Sequence, residues 1–256
     1  MIDFTMDILY EDEDLLVCHK MPGIPVQTAQ VGRQDMVSVL QNYLAQKGER
    51  SEIYVIHRLD QPVEGILAFA RTKIAAASFS QQLQAKSICK RYYALVEGIF
   101  TENSGTLEDY LLRDGRSNTS RVVPSGQKGA KLARLSYTVK KSITEEEALI
   151  AFWNQACLNY FNYRNNSASP DGSGHKSHSA GPLTYLSIQL ETGRHHQIRV
   201  QMAHAGHPLI GDKKYNPNCP PVYLPIGLCS VQISFLHPRT GRQMDFSVKP
   251  KGILFQ

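Results

Sequence analysis

The chain has 256 residues, 42% of them hydrophobic, and a formal charge of +5, enough apolar material to close a core without a metal or disulfide staple. Its five cysteines include no CxxC pair, which argues against a disulfide framework or zinc knuckle and fits a reducing compartment. The opening Met1-Ile2-Asp3-Phe4-Thr5-Met6-Asp7 is acidic with no long apolar run behind it. No signal peptide and no membrane span are therefore expected, and the cytoplasm is the expected compartment.

In chain order, Asp35 to Lys47 carries Met36, Val39, Leu40, Tyr43 and Leu44 at helical spacing, with Asp35 as N-cap and Gly48 as stop. Two short β-rich runs follow, Ile53-Tyr54-Val55-Ile56 and Ile66-Leu67-Ala68-Phe69, separated by His57-Arg58-Leu59-Asp60 and a turn closed by Gly65. Lys73 to Lys86, rich in Ala and Gln, predicts a second helix. Strands are expected at 91–97, 133–140, 147–153 and 183–190, then a helix from His195 to Ala205 ending at Gly206. Strands at 228–236 and 243–248 close the chain as a hairpin turning at Pro238-Arg239-Thr240-Gly241. Many strands and few helices, without βα alternation, predict one α+β domain over residues 1–256, built on a mostly antiparallel central sheet flanked by helices and loops. Residues 154–181 break the pattern: aromatics interleave with Asn and Arg over Asn159 to Asn166, then a Ser-, Gly- and His-rich loop follows, as in an insertion.

Charge is concentrated in one place. Residues 113–134 hold Arg113, Arg116, Arg121, Lys128, Lys131 and Arg134 against Asp114 alone, and that local excess equals the excess of the whole chain. Clustered cations gain by displacing counterions from phosphates, so a polyanion is the expected partner of this segment. The histidines His195, His196, His204 and His207 raise the question of zinc. Adjacent helical residues point about 100° apart and no HExxH pattern is present, so no metal site is expected there.

Taken alone, His57-Arg58-Leu59-Asp60 reads as a solvated turn aspartate. With the rest of the chain it resembles the RluA-type family of RNA pseudouridine synthases. His57 to Thr72 resembles that family's catalytic motif, Lys90 to Gly98 the motif with an active-site tyrosine, and Gly193 to Val200 with Gly206 to Asp212 the third. Ile8 to Asp12, Lys20-Met21-Pro22-Gly23 and Leu236 to Gly241 fit as well. Two departures stand out: Val63-Glu64 replaces the usual Thr-Ser, and His195 replaces a threonine.

The resemblance implies a pseudouridine synthase fold acting on structured RNA, ribosomal or transfer, with Asp60 as catalyst. Asp60 would either attack C1′ or take the C2′ proton, and the sequence leaves both routes open. Tyr92 would stack on the uracil, with Tyr93 on the opposite face of its strand. Arg199, costly to bury in an apolar helix without a carboxylate, would pair with Asp60. Arg58, entering the space of an extruded base, and His57 would contact substrate, Ile66 or Leu67 would supply apolar wall, and Arg113, Arg116, Arg121 and Lys128 would hold phosphates. An isomerisation requires no cofactor, and a monomer without a protein partner is expected. The competing expectation is an RNA-binding protein that keeps the fold and has lost catalysis; Asp60, Tyr92 and Arg199 together argue against it.

Overall fold

The computed structural model describes residues 7–30, 32–144, 182–219 and 225–252. The described residues form eleven strands and three helices. They are β1 (Asp7–Glu11), β2 (Leu15–Lys20), α1 (Met36–Gln46), β3 (Tyr54–Val55), β4 (Glu64–Ala70), α2 (Lys73–Gln84) and β5 (Cys89–Glu97). There follow β6 (Ser104–Asp114), β7 (Thr119–Val123), β8 (Lys131–Ile143), β9 (Leu183–Leu190), α3 (Gln197–His204), β10 (Leu228–Leu236) and β11 (Gln243–Ser247). The class is α+β with a mostly antiparallel sheet, as the sequence predicts. The strand expected at 147–153 and the insertion expected at 154–181 lie outside the described residues. No described helix is long and apolar enough to cross a membrane.

The chain divides into two compact units, Met1–Tyr92 with Cys229–Pro250, and Tyr93–Leu228 with Lys251–Gln256. In the first unit the strand order is β1-β2-β4-β10, with β3 on β4 and β11 on β10. Strand β4 pairs antiparallel with β2 and parallel with β10, so every one of its residues is buried, and after Glu64 it carries no polar side chain. Its even-numbered face, Ile66, Ala68 and Ala70, packs with Leu15, Val17, Ala75, Phe79 and Phe235 into a core under α2. Phe79 meets Phe235 edge-on at 4.9 Å.

Both helices of this unit begin where their caps dictate. Asp35 and Ser38 form a reciprocal capping box at α1, and the Thr72 hydroxyl accepts from Ala75 N–H at α2.

In the second unit β9-β8-β6-β7 form an antiparallel series. The basic segment that the sequence leaves without regular structure is the tip of the β6–β7 hairpin, its following turn and the start of β8. Pairing of β6 with β8 stops at Leu111↔Lys131, whereas β6–β7 pairing continues from Tyr110↔Val123 to Asp114↔Thr119. The hairpin therefore overhangs the β8 ladder as a two-stranded ribbon carrying Arg113, Arg116 and Arg121. Helix α3 starts two residues later than predicted, because His196 takes a left-handed backbone (φ +53°) at the N-cap.

Candidate active site

Asp60 occupies the first position of a turn, Asp60-Gln61-Pro62-Val63, closed by Val63 N–H donating to the Asp60 carbonyl at 3.0 Å. That turn is fixed from the end of β2. Lys20 is completely buried, and its ammonium donates to the carbonyls of Met21 (3.0 Å), Gln61 (3.1 Å) and Val63 (2.7 Å). Three hydrogens meet three acceptors, which is the full donor capacity of a lysine. Gly23 adds a second tie: its N–H donates to the Gln61 carbonyl at 2.9 Å, and the Gln61 side-chain amide donates back to the Gly23 carbonyl at 2.8 Å. Gly65 completes the arrangement. Its φ of +137° and a would-be Cβ only 2.4 Å from the Ser230 carbonyl leave room for no side chain. The half-buried Asp60 carboxylate acts electrostatically on both Lys20 and Tyr92.

Tyr92 is 6% exposed. Burial pushes its phenol well above the ordinary tyrosine range, the nearby Ser230 hydroxyl pulls it back, and the Asp60 charge adds to the rise. Its hydroxyl therefore stays protonated and can donate. Tyr93 points elsewhere, its ring 5.1 Å from that of Tyr185. Register separates the two apolar candidates: Ile66 belongs to the core under α2, while Leu67 pairs with Cys18 on the same face as Lys20 and Gly65. His57 is committed to the scaffold through Nε2, which accepts from Ala68 N–H at 3.2 Å, and burial drives its pKa down to about 3, with Lys90 adding to the fall. Arg58 is exposed.

The departure at Glu64 places a 3% exposed carboxylate opposite Cys229 and 2.8 Å from His19 Nε2. The imidazole satisfies the acid. A second group of metal-ligating types, Asp12, Asp14 and His237, is engaged otherwise: Asp14 holds a two-bond fork from Arg239, and Asp12 accepts from His237 at 2.8 Å. The four clustered histidines have separate partners. His195 meets Ser120, His196 meets Tyr215, His207 donates to the Glu97 carbonyl, and His204 lies 3.9 Å from Asp109.

In the second unit Arg199, 5% exposed, makes a two-bond fork to Asp212, Nε to Oδ2 at 2.8 Å and Nη2 to Oδ1 at 2.7 Å. The same carboxylate accepts from the N–H groups of Lys214 (3.0 Å) and Tyr215 (3.3 Å), and the guanidinium lies 5.2 Å over the Tyr215 ring. Asp212 thus anchors its own turn while also neutralising Arg199. Arg113, Arg116, Arg121 and Lys128 are all exposed. Arg113 pairs across the hairpin with Ser120 and Leu112 with Arg121, so Arg113 and Arg121 stand on opposite faces of the ribbon.

A sequence profile described as RNA pseudouridylate synthase matches residues 14–204. The "Uncharacterized RNA pseudouridine synthase YhcT" of Bacillus subtilis (strain 168) is 31% identical over 212 residues, covering 82% of this chain and 57% of that protein. The "Ribosomal large subunit pseudouridine synthase D" of Pseudomonas aeruginosa is 30% identical over 216 residues, covering 83% and 54%. The chain thus spans little more than half the length of these two curated relatives. Among solved structures, "Human RNA Pseudouridylate Synthase Domain Containing 1" shares the fold, with a TM-score of 0.68 at 19% identity over 96% of this chain and 84% of that one.

Burial pulls the Lys20 ammonium from 10.5 down to about 7, opposed by the Asp60 charge. In the unfolded chain the lysine keeps its ordinary value, so between these two limits the unfolded state binds more protons. The stability this side chain contributes is present above about pH 10.5 and is lost as pH falls through about 7. Equilibrium denaturation of the wild type and Lys20→Met should show the difference shift in the wild type's favour from about pH 7 to about pH 9. A difference independent of pH would mean that Lys20 does not titrate in this window.

Proposed function

Because the chain belongs to the RNA pseudouridylate synthase family, we propose that it isomerises uridine to pseudouridine in structured RNA, with Asp60 as the catalytic carboxylate. The N1–C1′ bond breaks, the base turns, a C5–C1′ bond forms, and the C5 proton is given up while N1 gains one. Atoms and oxidation state balance without a cofactor. The observation that carries the reading is the Asp60 turn, bolted to the end of β2 by Lys20 and to the segment after it by Gly23, in the stretch that resembles this family's catalytic motif.

A fixed carboxylate acts at C1′ or C2′ only on a nucleotide brought out of its stack. Tyr92 offers a ring to the extruded uracil and a protonated hydroxyl for proton transfer. Arg199 is assigned to Asp60 as its cationic partner: a guanidinium has more than one carboxylate-sized edge, and Asp212 takes the Nε–Nη2 edge. Leu67 is the apolar wall, and Arg58, exposed just ahead of the turn, fills the place of the extruded base.

Ribosomal and transfer RNA are both in scope, and the enzyme is taken to work as a monomer in the cytoplasm.

RNA transcripts incubated with the protein alone should gain pseudouridine, and Asp60→Asn should abolish the gain while leaving the fold and most RNA affinity intact. Turnover by a folded Asp60→Asn protein would remove the aspartate from the mechanism, and wild-type binding without product would leave an RNA-binding protein.

The hairpin cations supply the phosphate contacts. Replacing Arg113, Arg116, Arg121 and Lys128 by neutral residues should raise Kd and flatten its salt dependence by about 0.7–0.9 per lost contact on a log–log plot. The single-turnover rate at saturating RNA should change little, since backbone contacts position rather than react. An unchanged slope would place the RNA on another surface.

A further inference from the structure

We propose that His195 is a latch that fixes the overhanging β6–β7 ribbon against the segment framing Arg199, and thereby sets how tightly the chain holds its RNA. The proposal rests on the reading of the hairpin as an RNA contact. A two-stranded ribbon is marginally stable by itself. Beyond Leu111↔Lys131 this one has no β8 partner, although its turn is internally ordered. Asp114 accepts from Arg116 N–H at 2.9 Å and from the Ser117 hydroxyl at 2.8 Å. What the turn cannot fix is the direction in which the ribbon points. That depends on bonds from outside it.

His195, standing where the family pattern has threonine, supplies two of them. Its Nδ1 lies 2.9 Å from the Ser120 hydroxyl and its Nε2 lies 3.1 Å from Asn118 Oδ1. The amide oxygen can only accept, so Nε2 carries the hydrogen and Nδ1 accepts from Ser120; one neutral tautomer serves both. The ring stacks on His196 with centroids 3.7 Å apart.

Two further ties come from beyond α3. Lys214 Nζ donates to the Asn118 carbonyl at 2.7 Å, and Ser120 N–H donates to the Tyr215 hydroxyl at 2.8 Å, which in turn donates to His196 Nδ1 at 2.7 Å. Tyr215 is also the ring beneath Arg199 and a donor to Asp212. Ribbon tip and Arg199 therefore share one frame. Ser120 and Arg113 face the same side of the ribbon, so the latched side is also a cationic one. A threonine at 195 has one short hydroxyl and cannot span both Ser120 and Asn118.

The test compares wild type, His195→Thr and His195→Gln, whose amide offers both a donor and an acceptor. Trypsin cleavage within the ribbon, at Arg113, Arg116 and Arg121, is followed without RNA, and Kd and single-turnover rate are measured with a structured transcript. In His195→Thr, cleavage should quicken and Kd should rise roughly tenfold, the scale of one net hydrogen bond. The rate at saturation should stay near wild type, and His195→Gln should recover much of the loss. Unchanged cleavage in His195→Thr overturns the latch. Faster cleavage with unchanged Kd overturns its role in RNA binding if the four-cation variant does weaken binding. If that variant also binds normally, the ribbon is no RNA contact, and the proposal falls together with that reading rather than on its own.

Discussion

A buried ammonium is the constraint around which the first unit is organised. An unpaired charge in a protein interior costs several kcal/mol, so Lys20 is tolerable only where acceptors surround it. The acceptors it finds are backbone carbonyls at the exit of β2 and in the turn that carries Asp60. Satisfying the lysine and fixing the turn are thus one event. The close approach of Gly65 to Ser230 has the same effect from the β10 side, since any Cβ there would push the strand away from the turn's other support.

The second unit solves a similar problem with the opposite pairing. Arg199 sits in a helix whose buried side chains include Gln197 and Gln201, so its surroundings are rich in directed hydrogen bonds. Gln197 accepts from Thr192 and from Arg194 N–H, Gln201 donates to Asp109, and Asp212 takes the guanidinium fork. Breaking such a network at one member leaves the others buried and unpaired, which costs more than the bond removed.

Local signals were legible in the sequence and long-range ones were not. Asp35 announced its helix because capping is decided within four residues, while the Thr72 cap of the second helix went unread. The turn around Asp60 and the need of Arg199 for a carboxylate could likewise be argued from neighbours, whereas alternation set Tyr92 and Tyr93 on opposite faces and only the family resemblance chose between them. The Asp212 fork comes from 13 residues away, and the Lys20 ties to Gln61 and Val63 from more than 40, and no periodicity encodes such pairs. Lys20 was visible only as part of Lys20-Met21-Pro22-Gly23, without a role. The β6–β7 hairpin was hidden for a different reason. Glu108-Asp109 and the arginines interrupt the alternation of apolar residues on a ribbon that buries few side chains, so charge masked a strand pattern.

The most direct test of this account is the single-turnover rate of pseudouridine formation by Lys20→Met, in protein shown to be folded and saturated with RNA. Methionine keeps the bulk of the side chain and removes the three donors. If Lys20 holds the Asp60 turn in its reactive position, the rate should fall by about a hundredfold, the scale of a small misplacement at a reacting centre, with RNA affinity near wild type. A folded Lys20→Met protein reacting at the wild-type rate would show that the turn holds Asp60 without the lysine, and would contradict the account at its base.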